Sequence, residues 1–506
     1  MSLNPPAAVE AAGITKRFGA LAALDGVSVR FAPGSFHALL GENGAGKSTL
    51  AKCIMGYYRA DAGELFIGGR KCTVTNPRQA HRLGLGMVYQ HFTLVPNMTV
   101  MENLVLGGER LPAVIDWRAE RTRLEEFLAT MPFRLGLDRR VAWLAAGEKQ
   151  KLEILKQLLL GHRFLILDEP TSVLTPSEAA EILGLMRRMA EEGELTVVLI
   201  THKLREVEEF AREVTVLRGG RVAGHGPAGE LSRADLVRMM IGREEVAPPA
   251  ARAGGMRTGA VLELRSLTAS SDKGVMAVRS VNLEVGAGEI VGVAGVSGNG
   301  QTELVEVLAG QRREESGSVH VAGEPYLRTR EEIRKKRVFL LPEEPLRNGC
   351  VRSMTVAENL AIRNFDAPEN TRWRWFLRRR AILRQAQDLI GRYGIKTQGP
   401  NARIEILSGG NVQRTVLARE LSAEVSVLIA QNPCTGLDLQ AVAEIRNQIV
   451  TVRNAGAAVL LLSEDLDEIL ELSDRIVVMF EGRLVYETLR GEADVHAIGR
   501  HMAGRG

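Results

Sequence analysis

Cysteine is scarce. The chain has four in 506 residues, Cys53, Cys72, Cys350 and Cys434. None stands beside another at zinc-ligand spacing. A disulfide framework does not suit so long and cysteine-poor a chain, which fits a reducing compartment. Long apolar runs are missing too. Phe164–Leu167, Val197–Ile200 and Val459–Leu462 are strand-sized, well short of the roughly 18–20 residues that cross a bilayer. No basic stretch followed by an apolar one opens the chain at Met1–Glu10, so no signal peptide is expected. Charge of one sign is not in excess. The 65 basic and 61 acidic side chains leave +4, which argues against nucleic acid as the main partner. What remains, 45% hydrophobic and 25% charged, is ordinary globular composition with room for two large domains or about three smaller ones.

The same punctuation occurs twice. GENGAGKS at Gly41–Ser48 is matched by GVSGNGQT at Gly295–Thr302, and LAAGEKQ at Leu144–Gln150 by LSGGNVQ at Leu407–Gln413. LILDEPT at Leu165–Thr171 is matched by LIAQNPC at Leu428–Cys434, and VLRGGRV at Val216–Val222 by VMFEGRL at Val478–Leu484. The interval stays near-constant at roughly 260 residues, so one ancestral domain has been copied once. The expected division is 1–243, a linker over 244–259 rich in Ala, Pro, Gly and Arg, and 260–506. Within each half, β-branched strands alternate with helical stretches, with Phe36–Leu40 before the first glycine loop and a helix over Ser48–Met55 after it. That is the pattern of a mostly parallel α/β sheet.

The first half carries phosphate chemistry. Gly41, Glu42, Asn43, Gly44, Ala45, Gly46, Lys47 and Ser48 fit G-x-x-x-x-G-K-[ST], with Thr49 following. Glycines let backbone N–H groups cradle phosphates at a helix N-terminus. Lys47 reaches the terminal phosphates and the Ser48 hydroxyl ligates Mg²⁺. The apolar run Leu165–Leu167 ends in Asp168 and Glu169. The first carboxylate can hold Mg²⁺ through water, and the second can polarise an attacking water.

This series resembles the ATP-binding-cassette ATPases over nearly the whole chain, twice. It comprises a glycine loop, Tyr89-Gln90 after a strand, a GEKQ or SGGNVQ segment, a DEPT strand and a later His202. The resemblance implies two tandem P-loop NTPase domains, each with a mostly parallel core, an antiparallel β subdomain and a helical subdomain. It implies ATP and Mg²⁺ as cofactors. It makes Gln90 the glutamine that touches Mg²⁺ and the membrane partner, His202 the histidine at the γ-phosphate, and Phe18, upstream of the first strand, the ring stacked on adenine. In this family two domains pack head to tail, so that Ser408, Gly409 and Gly410 would complete the site of the Lys47 loop.

The second half departs from the pattern at every catalytic position. Gln301 replaces the lysine, Gln431 and Asn432 the paired carboxylates, Glu464 the histidine, and Glu343 the glutamine. In the first half, Ala145-Ala146 lacks the signature serine. The intact parts belong to one composite site and the poor parts to the other, so one hydrolytic site is expected.

Fused cassettes of this asymmetry look like the importer class for sugars and nucleosides. Gly295–Leu304, Tyr89–Pro96, Leu152–Lys156 and Val173–Pro176 are similar to its nucleoside branch, which is linked to basic membrane lipoproteins. The sugar branch usually has Arg at the Gln301 position. Sugar import is the alternative reading, and a soluble two-cassette factor a further one. The resemblance implies integral membrane permease subunits, an indirect extracytoplasmic solute-binding protein, a peripheral place on the cytoplasmic face of the inner membrane, and no nucleic acid. Arg372–Arg380, basic and aromatic together, could meet anionic lipid, although such a stretch is more often a solvated face.

Overall fold

The computed structural model describes residues 6, 8–19, 21–89, 92–108, 112–131, 133–144, 146–172, 174–242, 251–252, 259–373, 375–437 and 439–504. The chain divides into two compact units, 1–245 and 246–506.

In the first unit, β1 (Val9–Phe18), β2 (Leu21–Phe31), β4 (Ala62–Ile67) and β5 (Arg70–Cys72) form an antiparallel sheet in the order β2-β1-β4-β5. A second sheet runs β10-β9-β3-β8-β7-β6. It uses β3 (Phe36–Leu40), β6 (Leu85–Val88), β7 (Phe164–Asp168), β8 (Thr196–Ile200), β9 (Glu213–Arg218) and β10 (Arg221–Pro227). Its pairs are parallel except β9–β10. Every residue of β3, β6, β7 and β8 is buried, as expected of parallel strands covered on both faces. That is why these segments read as unbroken apolar runs.

The helix after the glycine loop spans Lys47–Ile54, one residue earlier at each end than the expected Ser48–Met55. Its buried Leu50 and Ile54 join the two sheets in one core with Phe31, Leu39 and Phe164. A helical part packs Leu104, Leu124, Leu128, Leu152 and Leu155 together. Its first helix, Val100–Leu106, begins with a Thr99–Glu102 capping box, which satisfies backbone N–H groups the helix cannot pair internally.

The second unit repeats this plan. β11 (Ala260–Ser270), β12 (Met276–Gly286), β14 (Ser316–Val321) and β15 (Glu324–Pro325) form the antiparallel sheet. β13 (Ile290–Ala294), β16 (Val338–Leu341), β19 (Val427–Gln431), β20 (Ala458–Ser463), β21 (Arg475–Phe480) and β22 (Arg483–Leu489) form the sheet β16-β19-β20-β13-β21-β22, the same topology as in the first unit. A small hairpin pairs β17 (Thr371–Arg372) with β18 (Phe376–Leu377). The duplication extends to buried hydrogen bonds. Asn103 receives the N–H of Val95 at 2.8 Å and donates to its carbonyl at 3.1 Å. Asn359 does the same with Val351 at the same distances.

Two sequence expectations need comment. Most of the expected linker, 244–250 and 253–258, lies outside the described residues. Arg252 within it is held on the second unit, 2.8 Å from Asp474 and donating to the carbonyls of Ser473 and Glu471. Phe18 is not upstream of the first strand. It is the last residue of β1, a strand whose half-buried alternation broken by bulges hid it from the periodicity argument.

Candidate nucleotide site

The site is built at the ends of buried strands. β3 delivers Gly41 and the loop to Gly46, and the helix starts at Lys47. Two glycines are needed for space. At Gly41 a Cβ would lie 2.3 Å from the carbonyl oxygen of Leu217, and at Gly46 2.7 Å from that of Ala23. Gly46 also holds φ at +106°, a region that suits glycine. Gly44, at φ +82°, has nothing within 4 Å of where a Cβ would stand, so that point of the loop is open to a ligand.

Lys47 is buried, and its ammonium donates to the carbonyls of Gly41 at 2.6 Å and Glu42 at 3.1 Å. Burial lowers its pKa, against the pull of Glu169, Asp168 and Glu42. The Ser48 hydroxyl lies 3.4 Å from Asp168 Oδ1. Burial raises the Asp168 pKa. The Ser48 bond counters that shift, and neighbouring Glu169 adds to it.

Glu169 turns the chain at the end of β7 with φ +49°, its N–H donating to the carbonyl of Ile200 at 2.9 Å. His202 Nδ1 lies 3.1 Å from Glu169 Oε1. Burial would raise the Glu169 pKa, but the His202 hydrogen bond, then His202 charge, Lys47 and Lys203 outweigh it and hold the carboxyl below its ordinary value. The loops that carry both residues share buried Glu206, which the sequence argument missed. Its carboxylate accepts from Thr171, two residues after Glu169, and from Thr201, next to His202, at 2.8 Å. The only signal was an acid four residues beyond the histidine.

Phe18 is exposed at the strand end, in edge contact with Tyr58 at 5.2 Å between ring centres, with Lys16 Nζ 5.5 Å from its own centre. Thr49 follows Ser48 on the same helix. Gln90 lies outside the described residues. Among the described residues no group of three or more His, Cys, Asp or Glu could hold a metal. Ser48 and Asp168 offer two hard oxygen donors close together, with the buried carboxylate supplying charge. That set suits Mg²⁺, which takes few protein ligands and keeps water and phosphate oxygens.

The second unit keeps the turns and loses the lysine and both strand-end carboxylates. Gln301 follows Gly300, which holds φ at +99°, and is buried. Gln431 Nε2 donates to Thr302 Oγ1 at 3.2 Å, matching the Asp168–Ser48 contact with an N–H in place of a carboxylate oxygen. A donor there does not fit a hard cation. Asn432 repeats the left-handed turn of Glu169 at φ +41° and accepts the Glu464 N–H at 2.9 Å. Burial, then Glu343, pushes the Glu464 carboxyl up to about 7 against a Ser297 hydrogen bond.

The two signature helices also differ. Ser408 precedes the helix Gly409–Leu421 without a side-chain capping bond, and Ser408 and Gly409 are exposed. In the first unit the helix Ala146–Leu159 starts beside Glu178, whose Oε1 would be 2.9 Å from a Cβ at Gly147. An anionic side chain already faces that positive end.

The ABC transporter family model matches residues 24–172 and 278–435. The chain belongs to the ABC transporter family. It is 37% identical to the nucleoside import ATP-binding protein NupA of Lactococcus lactis, over 93% of each chain. It is 40% identical to a glucose import ATP-binding protein of Haloferax volcanii, over 97% of this chain and 95% of that one. A solved structure, the RNase-L inhibitor, shares the fold with a TM-score of 0.64 at 20% identity, over 97% of this chain and 93% of that one. In ABC terms, Lys47, Ser48, Asp168, Glu169 and His202 converge in the first cassette. In the second, Thr302 meets Gln431 and Asn432 meets the Glu464 backbone.

Proposed function

We propose that this ABC ATPase drives import of a small polar solute, most favourably nucleosides, by hydrolysing ATP at the first cassette alone. The observation that carries this reading is the contrast between two corresponding sets on the same topology. Lys47, Ser48, Asp168, Glu169 and His202 stand against Gln301, Thr302, Gln431, Asn432 and Glu464. Nucleoside over sugar rests on the wording of Gly295–Leu304, Tyr89–Pro96, Leu152–Lys156 and Val173–Pro176, with Gln301 where the sugar branch usually has Arg. The 40% identity to a glucose-import relative favours sugars as the second reading.

Phe18 stacks adenine, and the loop Gly41–Ser48 with Thr49 wraps the phosphates. Lys47 leaves its carbonyl partners for the terminal phosphates, a charge-assisted exchange. Ser48, Asp168 and Gln90 hold Mg²⁺, which when bound neutralises charge on the phosphate oxygens. Glu169, ionised at neutral pH, takes the proton of the attacking water as its oxygen bonds to the γ-phosphorus and the bond to ADP breaks. His202 fixes that carboxylate and faces the γ-phosphate. In the second unit, the helix start at Ser408, Gly409 and Gly410 presents backbone N–H groups of a kind that suits a phosphate.

No described helix is long and apolar enough to cross a membrane. We therefore assign the path of the solute to separate permease subunits, fed by an extracytoplasmic binding protein. This chain would sit peripherally at the cytoplasmic face. The test is uptake of labelled nucleosides, pentoses and hexoses with and without the chain. Loss of nucleoside uptake alone supports the reading. Loss of sugar uptake alone moves it to the sugar branch. No change in any of the three refutes import of these solutes.

A further inference from the structure

The hairpin β17–β18 in the second unit presents aromatic rings to solvent. Trp373 is 70% exposed, Trp375 87%, Phe376 64% and Leu377 53%. Apolar area of this kind, gathered on one short tip, marks a contact surface rather than a scatter of single residues.

The tip is held in shape. Trp375 N–H donates to the Arg372 carbonyl at 3.3 Å, and Arg378 N–H to that of Asn370 at 2.8 Å. Buried Asn370 donates to the Asn364 carbonyl at 3.0 Å, and the Thr371 hydroxyl to that of Ala367 at 3.0 Å. Trp373 and Phe376 meet edge to face at 6.4 Å. Trp373 holds φ at +54°, where glycine or asparagine would sit at lower cost. A large ring instead occupies that strained turn position and points its area outward.

The flanking sequence carries charge of one sign, with Glu358 of a neighbouring helix as an acid acting on Arg379. Between Glu369 and Asp388 the sequence has six arginines, at 372, 374, 378, 379, 380 and 384, and no acid. Arg372 lies over the Trp373 ring at 4.5 Å, and Arg378 reaches the Glu369 carbonyl at 3.5 Å. Arg378, Arg379, Arg380 and Arg384 are exposed, the last three on the helix Arg379–Arg392 that follows directly. Its buried Ile382 and Ala386 face the fold.

Tryptophan rings beside guanidinium groups suit the headgroup level of a bilayer. There the ring body meets acyl chain and the charge meets phosphate. We propose that this hairpin and the first turn of the helix behind it dock on an anionic phospholipid surface. Charge complementarity selects that occupant, because a neutral apolar protein groove would leave a one-sign arginine cluster desolvated and unpaired. The contact holds the second unit against the membrane without any spanning segment. It does not depend on which solute is carried.

The test is co-sedimentation of the full chain with phosphatidylglycerol–phosphatidylcholine vesicles and with phosphatidylcholine vesicles alone. Binding is expected to the anionic vesicles only. It should fall steeply as salt rises from about 0.1 to 1 M, where the screening length shrinks from about 10 to 3 Å. R378Q/R379Q/R380Q should weaken partition roughly a hundred-fold. W373F/W375F should abolish the blue shift of tryptophan fluorescence that anionic vesicles induce in the parent chain, since Trp117 and Trp143 remain as internal controls. Free glycerol phosphate should not compete. Far-UV circular dichroism should be unchanged in both variants. Failure to bind anionic vesicles overturns the proposal. So does binding that both variants retain, or capture of the tip by permease protein in detergent with no affinity for lipid. None of these outcomes touches the import reading, whose own test is solute uptake.

Discussion

Replacing Glu169 with Gln removes one charge and almost no volume. The backbone turn at φ +49° and its 2.9 Å bond to the Ile200 carbonyl do not involve the side chain, so the fold and nucleotide binding should survive. What is lost is a carboxylate held ionised by His202, Lys47 and Lys203 against burial. A positioned general base contributes about 10²–10⁴ in rate, or roughly 3–5 kcal/mol of barrier. Glu169→Gln should therefore lower steady-state phosphate release by the assembled complex by at least a hundred-fold while ATP still binds. His202→Ala breaks one 3.1 Å contact and should cost about ten-fold, near the 1–2 kcal/mol of a hydrogen bond to a charged group. The double variant separates the two roles of the histidine: a rate equal to that of Glu169→Gln alone means that it acts through the carboxylate, and a slower one that it also acts at the γ-phosphate. The assay is phosphate release at saturating ATP, with nucleotide binding measured in parallel. If Glu169→Gln kept more than about a tenth of the parent rate, Glu169 would not be the base, and one hydrolytic site would no longer follow from this geometry.

Glu206→Ala strips two buried hydroxyls of their acceptor. It should destabilise the fold by about 2–3 kcal/mol and lower kcat with little change in the KM for ATP. Glu468→Ala, where the equivalent carboxylate accepts from Ser463 at 2.7 Å, should destabilise comparably and leave kcat nearly intact; denaturant titration and turnover separate the two. Gly46→Ala forces a Cβ to 2.7 Å from a carbonyl at φ +106° and should cost about 1–3 kcal/mol, seen as a lower Tm and weaker ATP binding. Acid should destabilise the first unit specifically. His37 and His162 are buried, and desolvation lowers both pKa values from 6.5 to about 4. Glu213 Oε2 stands 3.6 Å from His37 Nδ1, yet burial prevails. Between pH 6.5 and 4 the unfolded chain binds more protons, so this stability is full above about 6.5 and is lost as pH falls toward 4, by up to roughly 3 kcal/mol per histidine. His37→Gln and His162→Gln should flatten the acid limb of a stability–pH curve.

The duplication, the glycine loop, the paired acids and the decay of the second copy were all legible in one dimension. Each depends on a local run: a strand buried on both faces needs consecutive apolar residues, and a phosphate cradle needs glycines at fixed spacing. The substitutions Gln301, Gln431 and Asn432 could be read as loss of charge, and Glu464 as an acid in place of the histidine, without coordinates, because charge belongs to the residue type. What folding alone decided is how residues far apart in sequence meet. Glu206 ties Thr171 to Thr201 beside Glu169 and His202, and no spacing rule announces a bond between the ends of two strands. Phe18 went unseen at a strand end because bulges in β1 interrupt the alternation that would have revealed it. Glu178 reached the start of the helix at Ala146–Leu159 from another helix, so the weakness of that signature was double, a missing serine and a carboxylate already at the positive end. The Trp373–Leu377 tip was visible as composition, but its exposure is tertiary. Whether a ring is core or surface depends on what the fold leaves uncovered, and here it leaves two tryptophans and a row of arginines facing outward.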